Sequence, residues 1–176
     1  MEDNKTSTGK VALKYGIIFG LITVVFTFML YTQDLHYQLD LQRIIITVII
    51  SLVFIAVAAV LGMLEFKKAN NGFMSIGQGL KIGIGAALIS GIIAGLFNIL
   101  LTQVIDPDTQ QKALEYSAEM MRDAGMTAAQ IDQQLEGAKN QSPFTGLVVG
   151  LISSIIFGFL GSIIPALVIK KSEPEY

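Results

Sequence analysis

The stretch GQGLKIGIGAALISGIIAGLFNILLTQVI, residues 77–105, decides the fold of this chain. It is apolar over more than the ~20 residues that an α-helix needs to cross a bilayer. Small residues recur in it at every fourth position, at Gly79, Gly83, Ala87, Gly91 and Gly95. Because lipid tails are as apolar as leucine, membrane helices associate by close contact, which a ridge of small residues permits. The stretch therefore predicts a membrane helix that packs closely against a partner.

A second ridge of small residues lies in the last apolar stretch, at Gly146, Gly150, Ser154, Gly158 and Ser162. We expect the two ridges to pack together as antiparallel helices. Matching the depths of the two spans predicts three contacts: Ala87 with Ser162, Gly91 with Gly158, and Gly95 with Ser154. The alternative is that each ridge packs against the same ridge of a neighbouring chain.

The composition is that of an integral membrane protein. Of 176 residues, 52% are hydrophobic, which is too apolar for an ordinary soluble domain. The formal net charge is only -2, so no basic field favours nucleic acid as a partner, and the absence of cysteine excludes disulfides and thiol catalysis.

Four spans are predicted, at residues 11–31, 44–64, 79–105 and 144–169. The expected fold is all-α: one polytopic membrane domain over residues 1–176.

The spans form two hairpins with a similar sequence pattern. LKYGI at residues 13–17 matches LKIGI at residues 80–84, and FKK at residues 66–68 resembles IKK at residues 169–171. This similarity favours a parallel internal repeat, as known in membrane proteins. Chance similarity between apolar spans is the alternative.

Lysine and arginine placement predicts the orientation. Most lie at the N-terminus, in the second loop and at the C-terminus, so both termini are expected in the cytoplasm. Residues 106–143 then form an extracytoplasmic insertion. Its acidic residues outnumber its basic ones, at Asp106, Asp108, Glu115, Glu119, Asp123, Asp132 and Glu136.

The insertion has the pattern of a helical hairpin. Apolar residues share one face of each predicted helix, at Leu114, Ala118 and Met121 and at Ile131 and Leu135. Gly125 is a candidate C-terminal cap of the first helix, and Thr127 with Gln130 a capping box for the second. If the two apolar faces cover each other, three side chains remain to contact a partner: Tyr116, Met120 and Met126. A simple spacer is the alternative.

We find no constellation that predicts catalysis. His36 lies near Asp34 and Asp40, but one imidazole and two flexible carboxylates lack the ligand number of a committed metal site. No catalytic, cofactor-binding or metal-binding residue is therefore assigned, and an enzyme is not expected. No charged residue lies in the middle of a span, which argues against ion-coupled transport.

Three short segments carry a resemblance to a known family: NGFMSIGQGLK at residues 71–81, IDPD at residues 105–108 and GMT at residues 125–127. Together they resemble a family of small membrane proteins from Bacteroidota, described as a domain of unknown function. The resemblance implies four spans in a bacterial inner membrane. It implies no active site.

Two functional classes remain. One is a membrane scaffold or accessory protein that presents the acidic outer hairpin to an envelope protein partner. The other is a homo-oligomeric pore or small-solute channel assembled through the glycine-rich ridges, a glycine zipper. Membrane lipid is an expected contact in both, and the ridge contacts distinguish the two classes.

Overall fold

The computed structural model describes residues 6–38, 40–139 and 142–172. These residues form six α-helices, which are α1 (Thr8–Thr32), α2 (Leu41–Ala69), α3 (Ile76–Leu100), α4 (Thr109–Asp123), α5 (Ala128–Lys139) and α6 (Pro143–Ile169). A π-helical turn, Leu101–Ile105, follows α3. No β-strand occurs in the described ranges, where an isolated antiparallel bridge joins Met74 to Lys171. The predicted all-α fold class is confirmed.

Four segments are long and apolar enough to cross a membrane. They are α1, α2, α6 and the segment Ile76–Ile105, which joins α3 to the π-helical turn. Each contains one of the predicted spans. Their starts are fixed by polar caps, which satisfy backbone N–H groups that lack a partner inside the helix. The Asp40 carboxylate accepts the Arg43 N–H at 2.9 Å at the start of α2, and Ser75 with Gln78 forms a reciprocal capping box at the start of α3.

The third helix lies at the centre of the bundle. It makes extensive contacts with α1 on one side and α6 on the other, and α2 contacts all three. The buried residues come from the first halves of α1 and α3 and from the second halves of α2 and α6. The helices are therefore tightly packed at only one end, which we call the closed end. The opposite end, where α4 and α5 lie, is the hairpin end.

Polar contacts fasten the closed end. The Lys67 ammonium donates to the Ile169 carbonyl at 2.6 Å, and Met74 exchanges two backbone hydrogen bonds of 2.9 Å with Lys171. Glu65 accepts from the Lys14 ammonium at 2.6 Å and from the Tyr15 hydroxyl at 2.8 Å. These contacts join α1 to α2, and α6 to both α2 and the loop before α3.

The insertion is the predicted helical hairpin. Ile131 and Leu135 are buried on the inner face of α5, where it packs against α4. Gly125 has a φ of +85°, a left-handed conformation that glycine adopts without a Cβ penalty, so it is the C-terminal cap of α4. The Thr127 and Gln130 side chains form the expected capping box, with bonds of 2.9 and 3.4 Å to each other's backbone N–H.

The end of the third span differs from the prediction. The α-helix expected through residue 105 ends at Leu100, and the next five residues form the π-helical turn. The Asp106 N–H donates to the Leu101 carbonyl at 2.7 Å, five residues back instead of four. Such wider turns are rare and often lie at functional sites. Here the turn precedes Asp106, which is buried at the hairpin end.

Candidate functional site

The ridges of α3 and α6 pack against each other within one chain. A Cβ added to Gly83 would overlap the Ser162 side chain, and one on Gly79 would lie 2.9 Å from the Ala166 Cβ. A Cβ on Gly158 would lie 2.8 Å from the Ala87 Cβ. The absence of a side chain at these glycines is therefore what lets the two helices approach so closely.

The pairing differs from the predicted register by one helical turn. Gly83 faces Ser162 and Gly158 faces Ala87, whereas the sequence prediction placed Ala87 at Ser162 and Gly91 at Gly158. The prediction of Ser154 opposite Gly95 was also wrong, since Ser154 faces Gly91 and Gly95 faces Leu147. Depth matching assumed that both helices begin at the same level. The relative depth of the two helices is set by side-chain packing instead, because the buried Ser162 side chain occupies the space next to Gly83.

Two members of the second ridge have no such contact. A Cβ added to Gly146 or Gly150 would meet no atom within 4 Å. Both glycines are exposed, and both border a groove of about 320 Å³ between α3 and α6, beside Gly95 and Asn98. The ridge of α6 thus contacts α3 from Ser162 to Ser154, and its last two members toward the hairpin end make no such contact.

A second close interface, between α1 and α3, was missed by the sequence analysis. A Cβ on Gly16 would lie 2.9 Å from the Ala86 carbonyl oxygen, and one on Gly20 would lie 2.8 Å from Ile93 Cδ1. The four-residue spacing of Ala12, Gly16 and Gly20 is the signal that could have revealed it. With this interface, α3 is packed closely on two sides.

The separation of the helices leaves a cavity, the hairpin-end cavity, of about 290 Å³ between α1, α2, α3 and α6. Its lining is mainly apolar and includes the hydroxyl groups of Thr23, Thr27, Thr47, Ser51, Ser90 and Ser154. Several of these hydroxyls donate to a carbonyl of their own helix: Thr27 to Thr23 at 2.9 Å, and Ser51 to Thr47 at 2.8 Å. Such local bonds satisfy the hydroxyl hydrogens inside the span.

At the hairpin end, a cluster of polar side chains, the attachment cluster, joins the loop after α1 to the start of α4. It consists of His36, Asp106, Thr109 and Lys112. The His36 side chain is only 4% exposed, and its Nε2 lies 3.2 Å from Thr109 Oγ1 and 3.5 Å from Asp106 Oδ2. The Lys112 ammonium donates to both oxygens of Asp106, at 3.0 and 2.9 Å.

The opposite charges of Asp106 and Lys112 stabilise each other within the attachment cluster. The hydrogen bonds from Lys112 hold the pKa of the Asp106 carboxyl below its ordinary value, and Asp106 in turn raises the pKa of Lys112. The imidazole of His36 lies edge-on between Tyr31 and Tyr37, with ring centroids 5.2 and 5.1 Å away. The cluster fixes the base of the hairpin to the bundle of four long helices.

A second contact attaches the hairpin higher along α4. The Tyr116 hydroxyl donates to Asp40 Oδ2 at 3.3 Å, and the same oxygen lies 2.9 Å from Arg43 Nε. The bond from the Arg43 backbone N–H is the main cause that lowers the pKa of Asp40. Burial, followed by the charge of Asp40, raises the pKa of Tyr116. Tyr116, a predicted partner-binding residue, therefore also contacts the chain's own first loop.

The other two predicted partner-binding residues are accessible to different extents. Met120 is 37% exposed on α4. Met126 is half-buried after the Gly125 cap and lines a shallow depression with Gln130, Gln133 and Gln134. Binding of a partner by these residues stays a prediction. Among the described residues, no group of three His, Cys, Asp or Glu side chains is placed to hold a metal ion.

These features define a class: a polytopic helical membrane protein whose four long helices carry a helical hairpin fixed to one end. Comparison with protein families identifies the family. Residues 14–171 match the model of DUF4199, a protein family of unknown function, and the chain belongs to it. No curated protein and no solved structure matches the chain.

Proposed function

We propose that this protein is an integral membrane scaffold or accessory protein that presents its acidic hairpin to an envelope protein partner, and that it is not an enzyme. The observation that carries the proposal is the charge of the hairpin surface. Six of its carboxylates are exposed, at Asp108, Glu115, Glu119, Asp123, Asp132 and Glu136. Two exposed cationic residues, Arg122 and Lys139, accompany them, and a third cation, Lys112, has a side chain that is 39% exposed and bound to Asp106. Such a surface favours a cationic protein partner over anionic lipid or nucleic acid.

The fixed base of the hairpin supports a presenting role. Asp106, Lys112 and His36 hold one point of α4, and Tyr116 holds a second through Asp40. Two points of attachment limit the rotation of α4 relative to the bundle. A surface held in one orientation loses less entropy when a partner binds than a free loop does.

The proposed location is a bacterial inner membrane, with both termini in the cytoplasm and the hairpin outside. The lysines at the closed end support this orientation, because cytoplasmic loops carry an excess of Lys and Arg. They are Lys10, Lys14, Lys67, Lys68, Lys81, Lys170 and Lys171. The resemblance described above supports the bacterial assignment, and membrane lipid surrounds the exposed apolar faces of the spans.

A homo-oligomeric pore or small-solute channel is the second candidate. The open space at Gly146 and Gly150 favours it, because a neighbouring helix has room to approach there. The contacts of Gly79 and Gly83 with α6 weigh against it, since this part of the ridge already has a partner within the chain.

Site-specific photocrosslinking in cells tests the proposal. A photoreactive residue at Met120 should give a reproducible adduct with another protein. The matched control at Val148, on the exposed face of α6, should give lipid adducts. Removing two of the six exposed carboxylates by Glu115→Gln and Glu119→Gln should reduce the protein adduct several-fold, because charge complementarity guides such encounters.

The alternative outcomes separate the candidates. If the residue at Met120 gives lipid adducts and no protein adduct, the presenting role is contradicted. Adducts between copies of this chain, abolished by Gly150→Leu, would favour the oligomeric pore.

A further inference from the structure

The hairpin-end cavity continues into a second void of about 470 Å³ near the start of α2. Leu30, Thr47, Ser51 and Phe157 line both spaces. The second void adds the polar side chains of His36, Gln38 and Arg43 at the hairpin end. The combined space therefore has an apolar inner part, among four helices, and a polar outer part.

Two nitrogen atoms at the polar end have no hydrogen-bond partner. They are Nδ1 of His36 and Nη1 of Arg43; both atoms are buried, although the Arg43 side chain as a whole is 41% exposed through its other atoms. Buried polar groups in proteins are nearly always hydrogen-bonded, and an orphaned N–H of a guanidinium is especially unfavourable. Both residues line the same void. An acceptor group placed in this void beside Arg43 would satisfy Nη1.

Two acidic side chains near this point, Asp40 and Asp106, are already paired with cations. Asp40 accepts from Arg43 Nε and from the Tyr116 hydroxyl. Asp106 is bound by Lys112 through both of its oxygens. A guanidinium has several donors in a fork, so the carboxylate at Nε leaves further donors for a second anion. The polar end of the void is therefore suited to an anionic group.

The inner part is suited to hydrocarbon. The hydroxyls of Thr23, Thr27, Ser51 and Ser154 donate their hydrogens to carbonyls of their own helices. No charged side chain lines the inner cavity. A polar solute would find few free donors there, whereas an alkyl chain would cover the apolar faces of residues such as Phe54 and Ile55.

We propose that this combined space binds a single-chain anionic amphiphile of the fatty-acid type, with its carboxylate at Arg43 and its hydrocarbon chain between α1, α2, α3 and α6. One chain is assigned because the inner cavity has a volume of only about 290 Å³, and one carboxylate because Arg43 supplies the unpaired donor. The proposal does not depend on the partner of the hairpin.

Native mass spectrometry of the full chain, released from a non-ionic detergent, measures such binding directly. Palmitate should bind one molecule per chain. Hexadecanol has the same chain length and a neutral head, so it should bind roughly tenfold to a hundredfold more weakly, the usual effect of losing a charged hydrogen bond. Equal binding of the two probes would overturn the proposal.

Matched variants locate the site. Arg43→Gln should weaken palmitate binding at least tenfold and leave hexadecanol unchanged, whereas Arg122→Gln, on the exposed hairpin surface, should have no effect. Ser51→Phe should block the cavity and abolish binding of both probes, whereas Val148→Phe on the lipid-facing surface should not. If Arg43→Gln fails to fold, the comparison of palmitate with hexadecanol on the unmodified chain still decides.

A competition experiment tests the single-chain assignment. Phosphatidylglycerol, added in equal amount, should leave palmitate bound. Its complete displacement of palmitate would overturn the single-chain assignment and identify the occupant as a membrane phospholipid.

Discussion

The contact between Gly83 and Ser162 predicts a large energetic cost for adding one methyl group. A Cβ at Gly83 would overlap the Ser162 side chain and lie 3.3 Å from the Ala59 Cβ. Both neighbours are completely buried, so neither has free space to move into. Overpacking of this kind typically costs ~1–3 kcal/mol. Gly83→Ala should therefore lower the free energy of unfolding, although alanine is favoured over glycine in a helix by up to ~1 kcal/mol.

Gly146→Ala is the matched control, because a Cβ at Gly146 meets no atom within 4 Å. Both substitutions gain the same helix propensity, so the difference between them isolates the overpacking term of about 1–3 kcal/mol. Unfolding of the purified chain by SDS in mixed micelles, followed by circular dichroism, measures both. Gly83→Ala should unfold at lower SDS than the unmodified chain, and Gly146→Ala at equal or higher SDS.

A double-mutant cycle tests the assigned contact. Ser162→Gly removes the side chain that the new methyl group would overlap, so it should restore much of the stability of Gly83→Ala. If Gly83→Ala and Gly146→Ala unfold at the same SDS concentration, the described register of α3 against α6 is wrong. It is also wrong if Ser162→Gly restores none of the stability that Gly83→Ala loses.

The remaining predictions concern the hairpin and the orientation. Because Lys112 lowers the pKa of Asp106, the stabilisation from the ionised carboxylate is complete above its unfolded-state pKa of about 3.9 and is lost as the pH falls through the lower folded-state value. The protection factors of the α4 amides, which are corrected for the pH dependence of intrinsic exchange, should therefore fall as the pH drops below about 3.9. Asp106→Asn should give the lowered protection already at neutral pH, and unchanged protection in Asp106→Asn would contradict the attachment. A cysteine at exposed Gln133 should react with an impermeant maleimide on spheroplasts, and one at exposed Asn71 only after permeabilisation. Labelling of Asn71 in intact spheroplasts would contradict the proposed orientation.

The elements that sequence predicted well are those set by local chemistry. The spans follow from apolar length, and the hairpin follows from the helical period of its apolar residues. The Gly125 cap and the Thr127–Gln130 box each involve residues close in sequence, so their geometry depends little on the rest of the fold. The internal repeat stays a prediction.

The features that sequence did not predict depend on distant parts of the chain. His36 and Thr109 are 73 residues apart, and they meet at the end of a π-helical turn that the apolar pattern of α3 does not reveal. The register of the two ridges failed for a related reason. A four-residue repeat is satisfied equally well after a shift of one turn, so only the full set of side-chain contacts selects the pairing of Gly83 with Ser162.

The contacts that hold α6 are concentrated at the closed end of the bundle. Lys67 and Met74 hold the last turn of α6 through Ile169 and Lys171. At its other end a Cβ on Gly146 or Gly150 would meet no atom within 4 Å, and Leu147 contacts α3 at Gly95. A helix of 27 residues is about 40 Å long, so a tilt of about 5° at the fastened end would move the opposite end by roughly 3.5 Å. Such a tilt would change the volume between the helices while moving the small-residue contacts at the closed end least. An occupant that changed this volume would therefore act on the angle of α6, whose start follows the hairpin in the chain.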